Sequence, residues 1–170
     1  MKPRLNLSEF ALEPSPVAKH SAPLRVLRNS FLTLLGRRST SEQTLQGFLE
    51  THSELIPVPW MLNHGLHFDV VISKFPLDTS LRSDLAYLTK STAQWYLTLI
   101  ELEHPAKKIF TENKKVATLS ADFNAALSQI ASWRIFTESH GDEVKRRLHR
   151  LMLGKLAKNR VRFRFVLIYG

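Results

Sequence analysis

The spacing of apolar residues changes once along the chain, from helical in the first third to strand-like from Leu66 onward. Residues 24–35 carry apolar side chains three and four positions apart and stop before Gly36, which predicts a helix that ends at this glycine. A second helix is predicted to begin after Ser41, because a serine hydroxyl there can accept hydrogen bonds from the free N–H groups of the first turn.

Four later segments are either alternating or continuously apolar, and they are predicted to be strands: 67–75, 84–89, 95–103 and 161–169. The link 90–94 is short, so the second and third strands should form an antiparallel hairpin. The last strand alternates at its start and then becomes continuously apolar, which is typical of an interior strand.

Two further helices are predicted between the third and fourth strands. The first covers about 120–138 and ends at Gly141, and the second is a strongly basic helix over 142–156. The resulting order is helix, three strands, helix, strand. We therefore predict an α/β (α+β) fold with a mixed central sheet flanked by helices.

The chain is long enough for one well-buried domain but short for two, with 170 residues of which 44% are hydrophobic. Residues 1–40 are predicted to be an N-terminal arm with a short helix, and residues 41–170 the main domain. A natural domain rarely ends on a core strand, so a C-terminally truncated fragment of a longer protein is one interpretation.

Charge is unevenly distributed along the chain. The net charge of +9 divides into +5 for residues 1–40, −3 for 41–140 and +7 for 141–170. A mildly acidic centre between basic ends suits a site that gathers cations while its rim attracts phosphate, and a solvated basic surface is the alternative.

Cysteine is absent, which excludes disulfides and thiolate zinc sites and is compatible with a reducing cytoplasm. No apolar run approaches the roughly 20 residues of a membrane span, so we predict a cytoplasmic protein without a membrane partner.

Three carboxylates are predicted to meet at one end of the sheet. Glu101 and Glu103 share one strand face and lie roughly 6.6 Å apart along the backbone. Asp84 precedes the neighbouring strand of the hairpin, and can face both glutamates. One metal ion could join all three, because burying an unpaired carboxylate costs several kcal/mol. The alternative is that each carboxylate is simply solvated at a strand end.

A second candidate site is basic. The predicted helix 142–156 and the residues after it carry six cationic side chains that are expected to bind phosphates without reading base sequence. These are Lys145, Arg146, Arg147, Arg150, Lys155 and Lys158. An acidic protein surface is the alternative partner for this segment.

The predicted order of elements, with an acid before the second strand and Glu101-Leu102-Glu103 on the third, resembles the core of the PD-(D/E)XK nuclease superfamily. More narrowly, the chain resembles the Shedu family of anti-phage defence nucleases over about residues 41–170. The resembling stretches are EQTLQGFLETHSELI at 42–56, IELEHP at 100–105, LSQIASW at 127–133 and VLIYG at 166–170.

The resemblance implies a Mg²⁺-dependent DNA endonuclease, with Mn²⁺ as an alternative cation, that assembles as a homo-oligomer. By the same resemblance Asp84 and Glu101 hold the cation, and Gln129 positions the attacking water or a phosphate oxygen. Glu42 matches an acid of the first helix that can complete the metal shell. The plainer interpretations are a solvated helix residue for Gln129 and a glutamate favoured by the helix dipole for Glu42.

Glu103 departs from the superfamily pattern, in which the third residue of the triplet is lysine. One interpretation makes Glu103 a further metal ligand or base, with a nearby lysine supplying the cation, namely Lys107, Lys108 or Lys115. The other interpretation is a catalytically weak site. Two alternative functions follow: an inactive nucleic-acid-binding module of the same fold, and a basic protein-interaction domain.

Overall fold

The computed structural model describes residues 11–12, 22–56, 66–91, 93–112, 116–148, 151–152 and 158–169 of the chain. Within these ranges the strands are β1 (Ala11–Leu12), β2 (Leu66–Ser73), β3 (Leu85–Lys90), β4 (Gln94–Leu102) and β5 (Arg160–Ile168). The helices are α1 (Ala22–Leu35), α2 (Glu42–Thr51) and α3 (Ala121–Arg147), and a 3₁₀ turn covers Ser53–Leu55. None of the helices in these ranges is long and apolar enough to cross a membrane.

The five strands form one mixed sheet in the order β1-β2-β3-β4-β5. The first three pairings are antiparallel, and β4 pairs with β5 in parallel through the connection that contains α3. The α+β fold class and the order helix, three strands, helix, strand are thereby confirmed. The predicted N-terminal arm contributes a two-residue strand, in which Ala11 and Leu12 pair with Ile72 and Val71.

Both faces of the sheet are covered, so the molecule has three layers. On one face, α3 packs Trp133 and Val144 against Leu97 and Leu99 of β4. On the other face, α2 packs Leu45 against a cluster that includes Ile100 of β4. Because successive strand residues face opposite sides, a strand covered on both sides is mostly apolar, as β4 is except at Gln94, Thr98 and Glu101.

The start of α2 follows the predicted capping. The Ser41 hydroxyl accepts a hydrogen bond from the Thr44 N–H at 3.1 Å, and α1 ends at Leu35, directly before Gly36. These two ends place the first residue of α2, Glu42, beside the sheet end where the acidic residues lie.

The expectation that the last strand is an interior strand was wrong, because β5 lies at the edge of the described sheet. Its apolar run has a different cause. Phe163 and Phe165 pack on the α3 side, and Val166 and Ile168 pack on the α2 side. A continuous apolar run therefore reports two covered faces and does not require a hydrogen-bonded neighbour on each edge.

The predicted break near Gly141 is confirmed as a kink, since His140 has non-helical angles of φ −123° and ψ 26°. The helical segments on its two sides are described together as α3, which continues to Arg147. A side-chain Cβ on Gly141 would lie 3.4 Å from the Phe163 ring, which is ordinary van der Waals contact. The predicted basic helix 142–156 is the last turns of α3, and residues 149–150 and 153–157 lie outside the described ranges.

Candidate active site

Three buried carboxylates meet where β4 ends and β3 begins. The hairpin register pairs Leu85 with Ile100, so Asp84 and Glu101 are the next residues of the two strands. The Leu102 N–H donates to Oδ2 of Asp84 at 2.8 Å, which fixes this carboxylate against the neighbouring strand. Asp84, Glu101 and Glu103 are only 6, 6 and 8% exposed. The structure thus brings together the three acids that strand periodicity placed on one face.

Glu101 lies below α3 and is contacted by that helix. The Gln129 amide donates from Nε2 to Oε1 of Glu101 at 2.5 Å. The helix is positioned for this contact by Ala126 and Trp133, which are buried one turn before and one turn after Gln129. The second oxygen, Oε2, is buried and has no hydrogen-bond partner among the described residues. Glu101 therefore presents one fixed oxygen and one free oxygen.

The electrostatic environment opposes ionisation of Glu101. Burial, followed by the nearby charges of Asp84, Glu103 and Glu42, raises the pKa of Glu101 to about 9, and Lys74 acts in the opposite direction. Without a cation, this carboxyl group holds its proton at neutral pH. A divalent cation beside Oε2 would reverse the balance, because an adjacent positive charge favours the ionised form.

Glu103 is neutralised by its own lysine. Lys107 Nζ lies 2.5 Å from Oε2 of Glu103, and this hydrogen bond raises the pKa of Lys107. The Glu103 N–H also donates to the Ile168 carbonyl at 2.9 Å, so the residue continues the β4–β5 ladder by one bond. Lys107 therefore pairs with Glu103 rather than with Asp84 or Glu101.

Lys74 also belongs to this cluster, and sequence reasoning missed it. Its Nζ lies 2.5 Å from Oδ1 of Asp84, and its backbone N–H donates to the Asp84 carbonyl at 2.8 Å. The register of β2 and β3 pairs Ser73 with Leu85, which puts Lys74 next to Asp84. A hairpin between the first two predicted strands would indicate this contact only if its register were known.

Glu42 lies close enough to the cluster to be affected by it. Burial, then the charges of Asp84 and Glu103, raise the pKa of Glu42, while Lys74 and Lys107 act to lower it. The structure thus places this first residue of α2 near the acidic cluster, as the resemblance implies.

Of the two remaining lysine candidates, the structure describes Lys108, which pairs with a different acid. Lys108 pairs with Glu112 at 2.5 Å, and both side chains are exposed. Lys115 lies outside the described residues, as do Arg150 and Lys155 of the basic segment.

Those basic residues that the structure describes lie at the opposite end of the sheet from the carboxylates. Lys145, Arg146 and Arg147 occupy the last turns of α3, and Lys145 follows Gln129 by sixteen residues, or about 24 Å of helix. Arg147 pairs with Glu143 at 2.8 Å, and Lys158, two residues before β5, is exposed. The predicted basic rim is thus a separate surface, one helix length away from the acidic cluster.

The described side chains limit how a metal ion could be held at this site. Within the described ranges, no group of three or more His, Cys, Asp or Glu side chains is arranged to hold a metal ion. Mg²⁺ does not require such a group, because it usually binds through one or two carboxylates together with water and substrate phosphates. Asp84 and Glu101 with its unpartnered Oε2 satisfy this smaller requirement.

The fold and the site together define a mixed α+β domain with a buried acidic cluster at one end of its sheet. The chain belongs to the Shedu family, since the family model described as Shedu protein SduA, C-terminal, matches residues 39–170. This family is associated with anti-phage defence and, in general, with defence nuclease activity. No curated protein matches the chain.

Proposed function

We propose that this protein is a Mg²⁺-dependent DNA endonuclease that acts in anti-phage defence, with the acidic cluster as its active site. The observation that carries the proposal is the pair Asp84 and Glu101, buried side by side with one Glu101 oxygen left without a partner. Family membership supports the biological role. The resemblance to PD-(D/E)XK nucleases supports the reaction class, phosphodiester hydrolysis.

In this proposal Asp84 and Glu101 hold the divalent cation, and Mn²⁺ can replace Mg²⁺ because both accept carboxylate oxygens. When bound, such a cation polarises a phosphoryl oxygen and makes water easier to deprotonate. Gln129 fixes the Glu101 carboxylate through Oε1, which leaves Oε2 available as a ligand for such a cation. The backbone N–H of Leu102 holds Oδ2 of Asp84, and Oδ1 pairs with Lys74.

The basic end of α3 supports DNA as the substrate, because Lys145 and Arg146 are suited to phosphate contacts that do not depend on base sequence. We place the activity in the cytoplasm, where phage DNA enters. Assembly as a homo-oligomer is part of the proposal on the resemblance alone.

Removal of either carboxylate charge should abolish cutting. We expect Glu101→Gln and Asp84→Asn to reduce plasmid cleavage in Mg²⁺ by at least about 100-fold, comparable to losing one group that stabilises transition-state charge. Both variants should also lose Mn²⁺ binding measured by calorimetry. Arg28→Gln, which removes an exposed charge on α1, is the control and should cut like the unmodified protein. Cleavage by Glu101→Gln at the unmodified rate would contradict the proposal.

Glu103 favours a second candidate function, a nucleic-acid-binding module that does not cut. An acid at this position cannot provide the positive charge that the superfamily lysine provides, and it leaves the third triplet position paired with Lys107. This candidate predicts that the unmodified protein binds duplex DNA but neither binds Mn²⁺ nor cleaves plasmid. The same two assays therefore separate the candidates.

A further inference from the structure

In the superfamily pattern the third residue of the triplet is lysine, whereas in Glu101-Leu102-Glu103 it is Glu103. The triplet therefore supplies no positive charge to the acidic cluster. Lys107 is held by Glu103 at 2.5 Å, and Lys108 pairs with Glu112 in solvent. In the described part of the chain, the lysine whose ammonium contacts Asp84 is Lys74, and its charge also lowers the pKa of Glu101.

Lys74 reaches this position from a different strand. It directly follows β2, and Ile72, two residues earlier, packs on the α3 side of the sheet. The ion pair with Asp84 and the effect of Lys74 on the pKa of Glu101 place its ammonium group beside these carboxylates. Its side chain is 42% exposed, whereas that of Asp84 is 8% exposed. The ammonium group therefore lies between the buried carboxylates and the solvent from which a substrate must approach.

The backbone at Lys74 adds a second, independent observation. Its φ of 49° is left-handed, and no other non-glycine residue in the described ranges has a positive φ. Lysine is disfavoured in this conformation, in which Gly or Asn is more usual. Hydrogen bonds on both sides hold the turn, from the Lys74 N–H to the Asp84 carbonyl and from the Ser83 N–H to the Phe75 carbonyl. Residues held in such conformations are concentrated at functional sites.

We propose that Lys74 is the catalytic lysine of this site, in place of the lysine that the triplet lacks. This inference rests on the proposed endonuclease function. With a divalent cation held by Asp84 and Glu101, the ammonium of Lys74 would donate to a non-bridging oxygen of the scissile phosphate. Water adds to phosphorus, the bond from phosphorus to the leaving sugar oxygen breaks, and Lys74 stabilises the negative charge that develops between these events. Water gives its proton to solvent, and the leaving oxygen takes one from solvent.

The test compares Lys74→Asn with Lys74→Arg. Asparagine removes the charge and tolerates a left-handed backbone, so Lys74→Asn keeps the turn although it loses the ion pair with Asp84. We expect its single-turnover cleavage rate in Mg²⁺ to fall about 100- to 1,000-fold, the typical loss for one group of this kind. Lys74→Arg, which keeps the charge, should recover a substantial part of that rate. Arg28→Gln removes a positive charge on α1 and is the matched control.

Binding of Mn²⁺ distinguishes a catalytic role from a structural one. Lys74 competes with the cation for Asp84, so Lys74→Asn should bind Mn²⁺ as tightly as the unmodified protein or more tightly. Weaker Mn²⁺ binding together with a lower melting temperature would show that Lys74 only holds Asp84 in place, and would overturn the inference.

Two further outcomes would also reject Lys74. If Lys74→Asn cuts at the unmodified rate while Lys107→Asn does not cut, the catalytic lysine is Lys107. If both variants cut normally, neither lysine is required. If the unmodified protein neither binds Mn²⁺ nor cuts DNA, the endonuclease proposal itself fails. This failure is distinguishable from failure of the Lys74 proposal, because it is seen in the unmodified protein before any variant is measured.

Discussion

Glu101 illustrates how one residue links the stability of the fold to its chemistry. The carboxyl group is buried beside three other acids, and its pKa is raised to about 9. Burial disfavours the ionised carboxylate, so in the absence of a cation the folded state is destabilised when Glu101 loses its proton. The same residue becomes a good metal ligand once a cation compensates for its charge.

We predict that the cation-free protein loses stability as the pH rises from about 4.5 to 9. The unfolded chain releases the Glu101 proton near the ordinary pKa of 4.5, and the folded chain keeps it until about 9. Between these values the folded state binds more protons, so the free energy of unfolding falls with pH, by at most about 1.4 kcal/mol per unit. Urea unfolding in EDTA at several pH values measures this slope.

Glu101→Gln provides the comparison, because the amide cannot ionise and keeps a similar shape. Its unfolding free energy should vary less with pH and should exceed that of the unmodified protein at pH 8. Adding Mn²⁺ should remove the difference by stabilising only the unmodified protein. Parallel pH curves for the two proteins would show that Glu101 is ionised in the fold without a cation.

The acids of the site could be predicted from the sequence, but the cation beside them could not. Glu101 and Glu103 follow from strand alternation alone, and Asp84 follows from a short hairpin link. Lys74 depends on the register between β2 and β3, which a longer loop sets. In that loop Asp78 accepts hydrogen bonds from the N–H groups of Ser80 and Leu81, both at 2.6 Å. Loop packing of this kind leaves no periodic signal in the sequence.

At the scale of elements, the strands and the start of α3 were predictable. The four predicted strands match β2 to β5 because alternation and burial persist along each of them. The helix predicted from about residue 120 begins at Ala121, and the helix end indicated by Gly141 coincides with the kink at His140. A glycine therefore indicates where a helix is interrupted, but it does not indicate whether the helix resumes beyond it.

The packing of α3 depends on Trp133, which is fully buried one turn after Gln129. Its indole N–H has no hydrogen-bond partner among the described residues. We predict that Trp133→Ala lowers the free energy of unfolding by about 3–5 kcal/mol through cavity formation. Trp133→Phe should change it by less than about 1.5 kcal/mol, since it loses volume but also removes an unpaired N–H.

Urea unfolding of both variants checks this expectation, with an unchanged denaturant slope as evidence that the unfolded state is the same. A loss of more than 3 kcal/mol in Trp133→Phe would show that the indole N–H has an important partner. The tryptophan would then contribute a polar contact in addition to its packing.

At the scale of the whole molecule, the acidic cluster and the basic end of α3 lie at opposite ends of one sheet. The parallel pairing of β4 with β5 shows the separation directly, because Arg160 pairs with Gln94 and Leu167 pairs with Glu101. Seven strand residues correspond to about 23 Å. A duplex that contacts both ends must therefore extend along the sheet for about seven base pairs, at 3.4 Å each.

This separation allows binding and cutting to be tested independently. We predict that replacing Lys145 and Arg146 by Gln weakens binding to long duplexes of any sequence. Each lost phosphate contact should flatten the plot of log affinity against log salt by about 0.9, so the double variant should lose about 1.8. Arg28→Gln on α1 should leave the slope unchanged. Binding is best measured in Ca²⁺, so that the DNA stays intact.

The cleavage rate at saturating DNA should change little in the double variant, because the substituted residues lie about 24 Å along α3 from Gln129. Short duplexes that end within a few base pairs of the cut should be bound equally by the variant and the unmodified protein, since they cannot span the sheet. A long duplex whose salt slope does not change would show that the basic end of α3 does not contact DNA. The basic end of α3 would then have an acidic protein surface as its partner. DNA bound at the acidic cluster would have to extend in another direction.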